Sequence, residues 1–192
     1  MASEAQFLKS AKKLNVDPAV VKAIAEVESC GEGFLADGRP KILFEPHIFW
    51  KELRKRRIDP EKLVKGNEDI LYPIWKSGSY GPVSKQHDRL NRAIRIHRES
   101  ALHSASWGKF QIMGFNYAQC DLSSVENFVS EMGKTEDEHL HLFTCYIKNS
   151  LLDDELRALD WKGFARAYNG PSYWKNNYDR KLSAAYIRFK NN

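Results

Sequence analysis

Cysteine is scarce in this sequence, with three residues among 192. Cys30, Cys120 and Cys145 are widely separated and form no Cys-x-x-Cys motif, so the pattern indicates neither a disulfide framework nor a zinc site. An odd number of isolated cysteines is typical of free thiols in a reducing compartment. A thiol nucleophile at Cys30 is not expected, because no suitable histidine lies nearby in the sequence.

Long apolar runs are also missing, since none approaches the roughly 20 residues of a membrane-spanning helix. The N-terminal sequence Met-Ala-Ser-Glu-Ala-Gln-Phe-Leu lacks a basic segment followed by an apolar one, so no signal peptide is predicted. We therefore expect synthesis in a host cytoplasm, release by another agent before any action outside it, and no stable membrane insertion.

Motifs for metals and phosphates are absent as well. His139 and His141 stand two residues apart on a predicted helix, which separates their side chains, and no cysteine or carboxylate pattern supports zinc. Nothing matches the phosphate-binding pattern GxxxxGK[ST]. The sequence predicts no metal and no cofactor.

The composition is that of a basic globular protein. Thirty Lys and Arg against 25 Asp and Glu give a net charge of +5, and hydrophobic residues make up 42%. The charge favours an anionic partner such as nucleic acid, anionic lipid or an acidic cell-wall polymer. No helix-turn-helix or RNP signature is present, so a basic nucleic-acid-binding protein is only an alternative. The length predicts one domain over 1–192.

Helix-start signals divide the chain. Ser3 with Gln6 predicts a first helix through Leu14, and Thr135 with Glu138 predicts a later one. Asp17-Pro18 opens a second helix that Gly31 is expected to end. Further helices are predicted over 46–57, 86–102, 153–159, 160–168 and 175–190, with His97 on the buried stripe of 86–102.

Two stretches interrupt the helices. Asp37-Gly38 lies between short apolar runs and predicts a β-hairpin over 34–45. The loop 66–82 is rich in Gly, Ser and Pro and carries Tyr72, Trp75 and Tyr80; it is either a wall of a cleft or a mobile segment. The fold class predicted is mainly α (α+β), with a small β-hairpin in the N-terminal third.

Glu28 has the setting of a general acid. It follows Val21 and Ala25 at helical spacing and stands at the C-terminal end of its helix. Partial burial and the negative end of the helix dipole both predict a raised pKa, as a proton donor near neutral pH requires. A surface glutamate is the alternative at this stage.

Two further segments combine small, neutral polar and aromatic residues. In the first, Ser104–Gly114, small residues and two glycines predict a helix start in close contact with a neighbour, while Ser106 and Gln111 offer hydrogen bonds. In the second, residues 165–171, a helix ends at Asn-Gly-Pro and places Tyr168 and Asn169 on a rim. Neutral polar groups beside aromatic rings are typical of sugar-binding sites.

The order of these three segments resembles the lysozyme-like superfamily of goose-type lysozymes and lytic transglycosylases. With Gly38-Arg39-Pro40-x-Ile42-Leu43-Phe44-Glu45-x-His47 and Asp160-Trp161…Tyr168-Asn169-Gly170-Pro171-x-Tyr173, the chain is more closely similar to the N-acetylmuramidase domain of bacteriophage endolysins. The resemblance spans roughly residues 15–190 and implies a lysozyme-like helical fold. Many members carry a separate cell-wall-binding module, for which we expect no room here.

The resemblance implies a role for each matching residue. Glu28 matches the catalytic acid and Glu45 the second carboxylate, whereas Ser106, Gln111, Tyr168 and Asn169 match cleft-lining positions expected to contact substrate. An ion pair with a nearby Arg or Lys is the alternative for Glu45. Roles for Trp107 and Tyr173 stay open between packing and sugar stacking.

The reaction implied is cleavage of the β-1,4 bond between N-acetylmuramic acid and N-acetylglucosamine in peptidoglycan glycan strands, by an expected monomer acting in the periplasm. Phage lysis, bacterial wall remodelling and an antibacterial toxin are open as biological roles. Two other reactions are alternatives: a lytic transglycosylase forms 1,6-anhydro products with Glu28 alone, and a chitinase cleaves the same sugar backbone. Because Glu45 follows a predicted strand rather than the Glu28 helix, we expect the wider carboxyl spacing, roughly 6.5–9.5 Å, of an inverting enzyme.

Overall fold

The computed structural model describes residues 2–29, 31–75, 78, 80–170 and 173–191, and for Asn169 the backbone alone. The described residues form ten α-helices and a three-stranded antiparallel sheet, so the mainly α fold with a small β element is confirmed. In this part of the chain no helix has both the length and the apolar character needed to cross a membrane.

The helices are α1 (Glu4–Leu14), α2 (Pro18–Glu28), α3 (Pro46–Lys55), α4 (Gln86–Ile96), α5 (Arg98–His103), α6 (Val125–Met132), α7 (Glu136–Asn149), α8 (Asp153–Arg157), α9 (Trp161–Asn169) and α10 (Tyr178–Lys190). The strands are β1 (Ile42–Phe44), β2 (Ala105–Trp107) and β3 (Ile112–Met113).

The predicted helix starts are confirmed by their capping bonds. The Ser3 hydroxyl accepts from the backbone N–H of Gln6, and the Asp17 carboxylate accepts from that of Ala19 at 2.9 Å. Thr135 caps α7 in the same way. Each cap satisfies a donor that the first helical turn leaves unpaired, which is why these residues mark the starts so clearly.

The sheet joins segments that are far apart in the sequence. The turn predicted at Asp37-Gly38 forms, with Phe34 and Pro40 in a single β-bridge. However, β1 pairs antiparallel with β2, not with the chain before it, and β2 pairs with β3 in the order β1-β2-β3. The predicted hairpin over 34–45 is therefore reduced to its turn and one bridge, and the strand that leads to Glu45 belongs to a nonlocal sheet.

Two helical predictions need correction. The helix predicted over 86–102 is broken at His97, whose backbone is extended and whose Nδ1 accepts from the N–H of Ser100 to cap α5. His97 is a cap rather than a core residue. The helix start predicted within Ser104–Gly114 is instead β2, a turn and β3; its close contact is real, because a Cβ on Gly114 would lie 2.0 Å from the Leu102 carbonyl oxygen.

The core includes side chains from most of the elements. Its largest fully buried side chains include four phenylalanines: Phe44, Phe49, Phe128 and Phe164. The last helix, α10, packs extensively against α2. Ion pairs of Arg188 with Glu26 and of Lys190 with Asp17 reinforce this contact. The position of α2 therefore depends on the C-terminal end of the chain.

Two of the cysteines can be described, and both are buried free thiols. Burial raises the pKa of Cys120 and of Cys145 and keeps both thiols protonated. The expectation of free thiols is confirmed for these two, and Cys30 lies outside the described residues.

Candidate active site

Glu28 is the last residue of α2 and is 8% exposed. The chain turns immediately after it, since Ser29 has an extended backbone and its hydroxyl donates to the Glu26 carbonyl at 3.3 Å. Ala25, one turn earlier, is also buried. The structure thus confirms a buried position at a helix C-terminus.

The first turn of α7 holds the segment that follows Glu28. The Glu136 carboxylate accepts from the N–H of Gly33 at 2.9 Å and from the Lys109 ammonium at 3.1 Å. The His139 ring stacks on Phe34 with 4.8 Å between centroids, and its Nδ1 accepts from the N–H of Lys109. Since Lys109 lies in the β2–β3 turn, these contacts bring the exit of α2 beside the sheet.

Small residues are required at this junction. A Cβ on Gly33 would lie 2.6 Å from Nδ1 of His139, and one on Gly108 would lie 2.9 Å from the same ring. Gly108 also has a φ of +69°, which favours glycine. The glycines that follow Glu28 and Trp107 thus give His139 the space to join the two segments.

Glu45 comes directly after β1 and precedes the first turn of α3. Its N–H donates to the Ser104 carbonyl at 2.9 Å, and its side chain is 21% exposed. Tyr80 Oη donates to Glu45 Oε2 at 3.1 Å, and His47 Nε2 lies 3.6 Å from the same oxygen. Within the described residues, no Lys or Arg nitrogen lies within 4.0 Å of this carboxylate.

The two neighbours of Glu45 are neutral near pH 7. Burial lowers the pKa of His47, and the opposing effect of the Glu45 charge is smaller. Burial and the charge of Glu45 together raise the pKa of Tyr80 far above its usual value, so its hydroxyl remains a hydrogen-bond donor. Glu45 is thus a carboxylate supported by neutral groups rather than by an ion pair with Lys or Arg.

Ser106 and Gln111 face each other across the β2–β3 hairpin. The Ser106 hydroxyl lies 2.9 Å from Gln111 Oε1, and Gln111 Nε2 donates to the carbonyls of Gly108 at 2.8 Å and Lys41 at 3.4 Å. Both amide protons of Gln111 are thereby used within the protein. Each side-chain oxygen keeps a free lone pair, although Ser106 is only 4% exposed.

Tyr168 belongs to an aromatic cluster. Its ring stacks on Phe164 with 5.6 Å between centroids and meets Phe143 edge-on at 5.7 Å. Phe143 in turn stacks on Phe110 of the β2–β3 turn at 4.2 Å. This row of rings connects the end of α9 with the sheet. For Asn169, the backbone that ends α9 is described, and the side chain predicted to contact substrate lies outside the described residues.

Tyr80 and Gln86 were not predicted as site residues. Gln86 is 1% exposed; its Oε1 accepts from the N–H of Phe44 at 3.1 Å, and its Nε2 donates to the carbonyls of Tyr80 and Pro82. The aromatic residues of loop 66–82 were a signal for Tyr80. No sequence signal pointed to Gln86, because a glutamine at a helix start resembles a surface residue.

The described residues contain no group of three or more His, Cys, Asp and Glu side chains placed to hold a metal ion. Acid-assisted cleavage of a glycosidic bond uses two carboxyl groups in different surroundings. Glu28, buried at a helix end, and Glu45, partly exposed on another element, differ in this way.

Comparison with known proteins identifies the family. Residues 17–190 match the N-acetylmuramidase family model, and the chain belongs to this family. It is similar to the crystal structure of Burkholderia AP3 phage endolysin, with a TM-score of 0.91 and 36% sequence identity over 99% of this chain and 72% of that chain. No curated protein matches. The protein is thus a glycoside hydrolase that acts on peptidoglycan.

Proposed function

We propose that this domain hydrolyses the β-1,4 bond between N-acetylmuramic acid and N-acetylglucosamine, with Glu28 as the general acid and Glu45 as the second carboxylate. The observation that carries the proposal is the contrast between these two groups. Glu28 is 8% exposed at a helix C-terminus, two conditions that favour a protonated carboxyl. Glu45 is more exposed and receives a hydrogen bond from Tyr80, a condition that favours the carboxylate.

The roles follow from this contrast. Glu28 donates its proton to the glycosidic oxygen as the bond breaks. Glu45 stays ionised, and it activates a water molecule or stabilises the positive charge that develops on the sugar ring. A transglycosylase needs no second carboxylate, so the supported Glu45 favours hydrolysis over formation of a 1,6-anhydro sugar.

We expect inversion at the anomeric carbon, because the two carboxylates belong to different elements, α2 and the end of β1. An inverting site holds them roughly 6.5–9.5 Å apart, which leaves space for the attacking water. Proton NMR of freshly released reducing ends tests this prediction. An initial β-anomer product would instead indicate retention of configuration.

Ser106, Gln111, Tyr168 and Asn169 are proposed to contact the glycan. Because the protons of the Ser106–Gln111 pair are used internally, we expect its oxygens to accept from a sugar hydroxyl or an acetamido N–H. Tyr168, half-buried at the end of α9, offers the edge of its aromatic cluster. The positive net charge is proposed to favour binding to the acidic wall.

Mass spectrometry of soluble products from purified Gram-negative sacculi tests the assignment. Wild type is compared with Glu28→Gln and Glu45→Gln, with Glu61→Gln beyond α3 as the control, since the Glu61 side chain is exposed. We expect reducing N-acetylmuramic acid ends from wild type and the control. Product formation is expected to be lost in the two site variants, while their circular dichroism and melting temperatures remain close to wild type.

Other products would contradict parts of the proposal. Anhydro ends that disappear only in Glu28→Gln would identify a lytic transglycosylase and remove Glu45 from the reaction. Retained cleavage by Glu28→Gln would remove the acid assignment. Cleavage of chitin at the same rate as of peptidoglycan would show that the muramic acid lactyl group is not recognised.

The biological setting is proposed by analogy. The similar structure is that of a phage endolysin, and we propose that this chain likewise degrades the host wall from the periplasm after release from the cytoplasm. Expression in a Gram-negative host, with and without a separately supplied membrane-permeabilising protein, tests this order of events. Lysis is expected only when both are present, and equally rapid lysis without the permeabilising protein would contradict it.

A further inference from the structure

Tyr80 of the loop 66–82 contacts the second carboxylate, and three side chains of α4 bind Tyr80 and Asp69 of this loop. Arg89 donates to the carbonyls of Tyr80 and Asp69, and Gln86 donates to the carbonyl of Tyr80. Arg92 pairs with the Asp69 carboxylate at 2.8 Å. The backbone of Tyr80 is therefore positioned without any help from its own hydroxyl.

The Tyr80 hydroxyl is committed to Glu45. It donates to Oε2 at 3.1 Å, and burial together with the charge of Glu45 raises the pKa of Tyr80, so the proton stays on tyrosine. A hydrogen bond to a charged group fixes the carboxylate more strongly than one to a neutral group does. His47, at 3.6 Å from the same oxygen, is too far away to replace this bond.

Trp75, in the same loop, lies at the protein surface. The residue neighbours the Tyr80 hydroxyl and is 53% exposed. The preceding Ile74 is 71% exposed. An exposed indole near the Tyr80 hydroxyl presents a flat apolar surface, and such a surface is complementary to the C–H face of a pyranose ring.

We propose that Trp75 and Tyr80 form a support for Glu45 on the substrate side, in which Tyr80 positions the carboxylate and the exposed ring of Trp75 stacks on a sugar of the bound glycan. The inference rests on the proposed function, because it takes Glu45 as the second carboxylate. Tyr80 is a positioning residue, and Trp75 is a binding residue for an amino-sugar ring near the cleavage point.

Steady-state kinetics on a purified oligosaccharide of alternating N-acetylglucosamine and N-acetylmuramic acid tests the proposal. Tyr80→Phe removes only the hydroxyl, and kcat is expected to fall about ten- to hundred-fold, with KM within about twofold of wild type. Trp75→Ala removes the ring and is expected to raise KM about three- to tenfold, whereas Trp75→Phe, which keeps a ring, is expected to raise it less. Tyr117→Phe is the matched control, since Tyr117 packs against His103 away from Glu45, and it is expected to behave as wild type.

The same substitution made in a Glu45→Asp variant distinguishes a positioning role of the Tyr80 hydroxyl from a general packing role. In Glu45→Asp the carboxylate is one methylene shorter and no longer reaches Tyr80, so adding Tyr80→Phe is expected to change kcat by less than about twofold. An equal loss in both backgrounds would show a purely structural role for the hydroxyl. A wild-type kcat for Tyr80→Phe, or an unchanged KM for Trp75→Ala, would overturn the corresponding part of the proposal.

The same assay distinguishes this inference from the proposed function. Full activity of Glu45→Gln would remove the second carboxylate itself, and with it the proposed function. An inactive Glu45→Gln beside a fully active Tyr80→Phe would leave the proposed function intact and reject the support alone.

Discussion

At the scale of single residues, the Gln86 side chain makes three hydrogen bonds near the site. Its side-chain amide occupies the open edge of β1, where it accepts from the N–H of Phe44 as a neighbouring strand would. The same amide donates to the carbonyls of Tyr80 and Pro82. One buried side chain therefore links the strand that leads to Glu45 with the loop that carries Tyr80.

Replacement of Gln86 by leucine tests this link. The change keeps a side chain of similar size but leaves the buried N–H of Phe44 without its partner, whereas the Tyr80 carbonyl still accepts from Arg89. We expect the free energy of unfolding to fall by about 1–3 kcal/mol, the cost of one unsatisfied buried group. Urea unfolding measures it, with the exposed Gln119→Leu as the control. Equal stability of the two variants would contradict the role of Gln86.

The sequence predicted the surroundings of Glu28 better than it predicted the neighbours of Glu45. The apolar stripe of α2 was sufficient to place Glu28 at a buried helix end, because helical spacing is local. Of the two neighbours of Glu45, Tyr80 lies 35 residues downstream. A sequence contains no local signal for a contact of that kind, and only the unusual loop composition pointed in its direction.

At the scale of elements, the buried pair of Glu52 and His103 links helix α3 to helix α5. Glu52 Oε2 and His103 Nδ1 are 2.9 Å apart, and Lys55 and Arg56 also bind the Glu52 carboxylate. Burial alone raises the pKa of Glu52, but the hydrogen bonds from His103, Lys55 and Arg56 outweigh it and lower the pKa to about 2. Because α3 begins directly after Glu45, this pair also fixes the helix beside the site.

This pKa predicts how stability depends on pH. A carboxyl group whose pKa is lower in the folded state stabilises the fold above its unfolded pKa, 4.5, and loses that contribution as the pH falls towards 2. The difference corresponds to roughly 3 kcal/mol. We expect wild type to lose that much more unfolding free energy than Glu52→Gln between pH 6 and about 2. Parallel pH curves for the two proteins in denaturant titrations would contradict the prediction.

The helix starts at Ser3, Asp17 and Thr135 were predicted correctly from the sequence, whereas the pairing of the strands was not. Caps such as Ser3, Asp17 and Thr135 act within one helical turn, so the helix starts followed from the sequence. The partner of β1 did not, because a strand of three residues carries no information about a second strand some sixty residues later. The break at His97 was missed for a related reason: an imidazole rarely serves as a helix cap, and the apolar spacing continues across it.

At the scale of the whole molecule, the net charge of +5 is expected to govern attachment to the wall. Sacculi carry acidic groups, so long-range attraction is expected to weaken as the Debye length shrinks from about 10 Å at 0.1 M salt to about 3 Å at 1 M. Glu28→Gln, used to prevent digestion, should cosediment with sacculi at low salt and be released progressively by added salt. Binding that is unchanged up to 1 M salt would contradict an electrostatic contribution.

A parallel titration addresses the nucleic-acid alternative. Random-sequence duplex DNA is expected to bind more weakly than sacculi at 0.15 M salt, because DNA is attracted by charge alone whereas the glycan is also bound by the proposed site. Tighter binding to DNA at 0.15 M salt would point to a second, nucleic-acid-binding role.

The packing of α10 against α2 has a consequence for the timing of activity. The helix that ends at Glu28 is held by Arg188 and Lys190, which pair with residues 162 and 173 positions earlier in the sequence. A chain emerging from the ribosome therefore cannot hold α2 in place until α10 has been translated. Nascent chains that stop short of α10 are then expected to be inactive, so that hydrolysis begins only after the two helices have met.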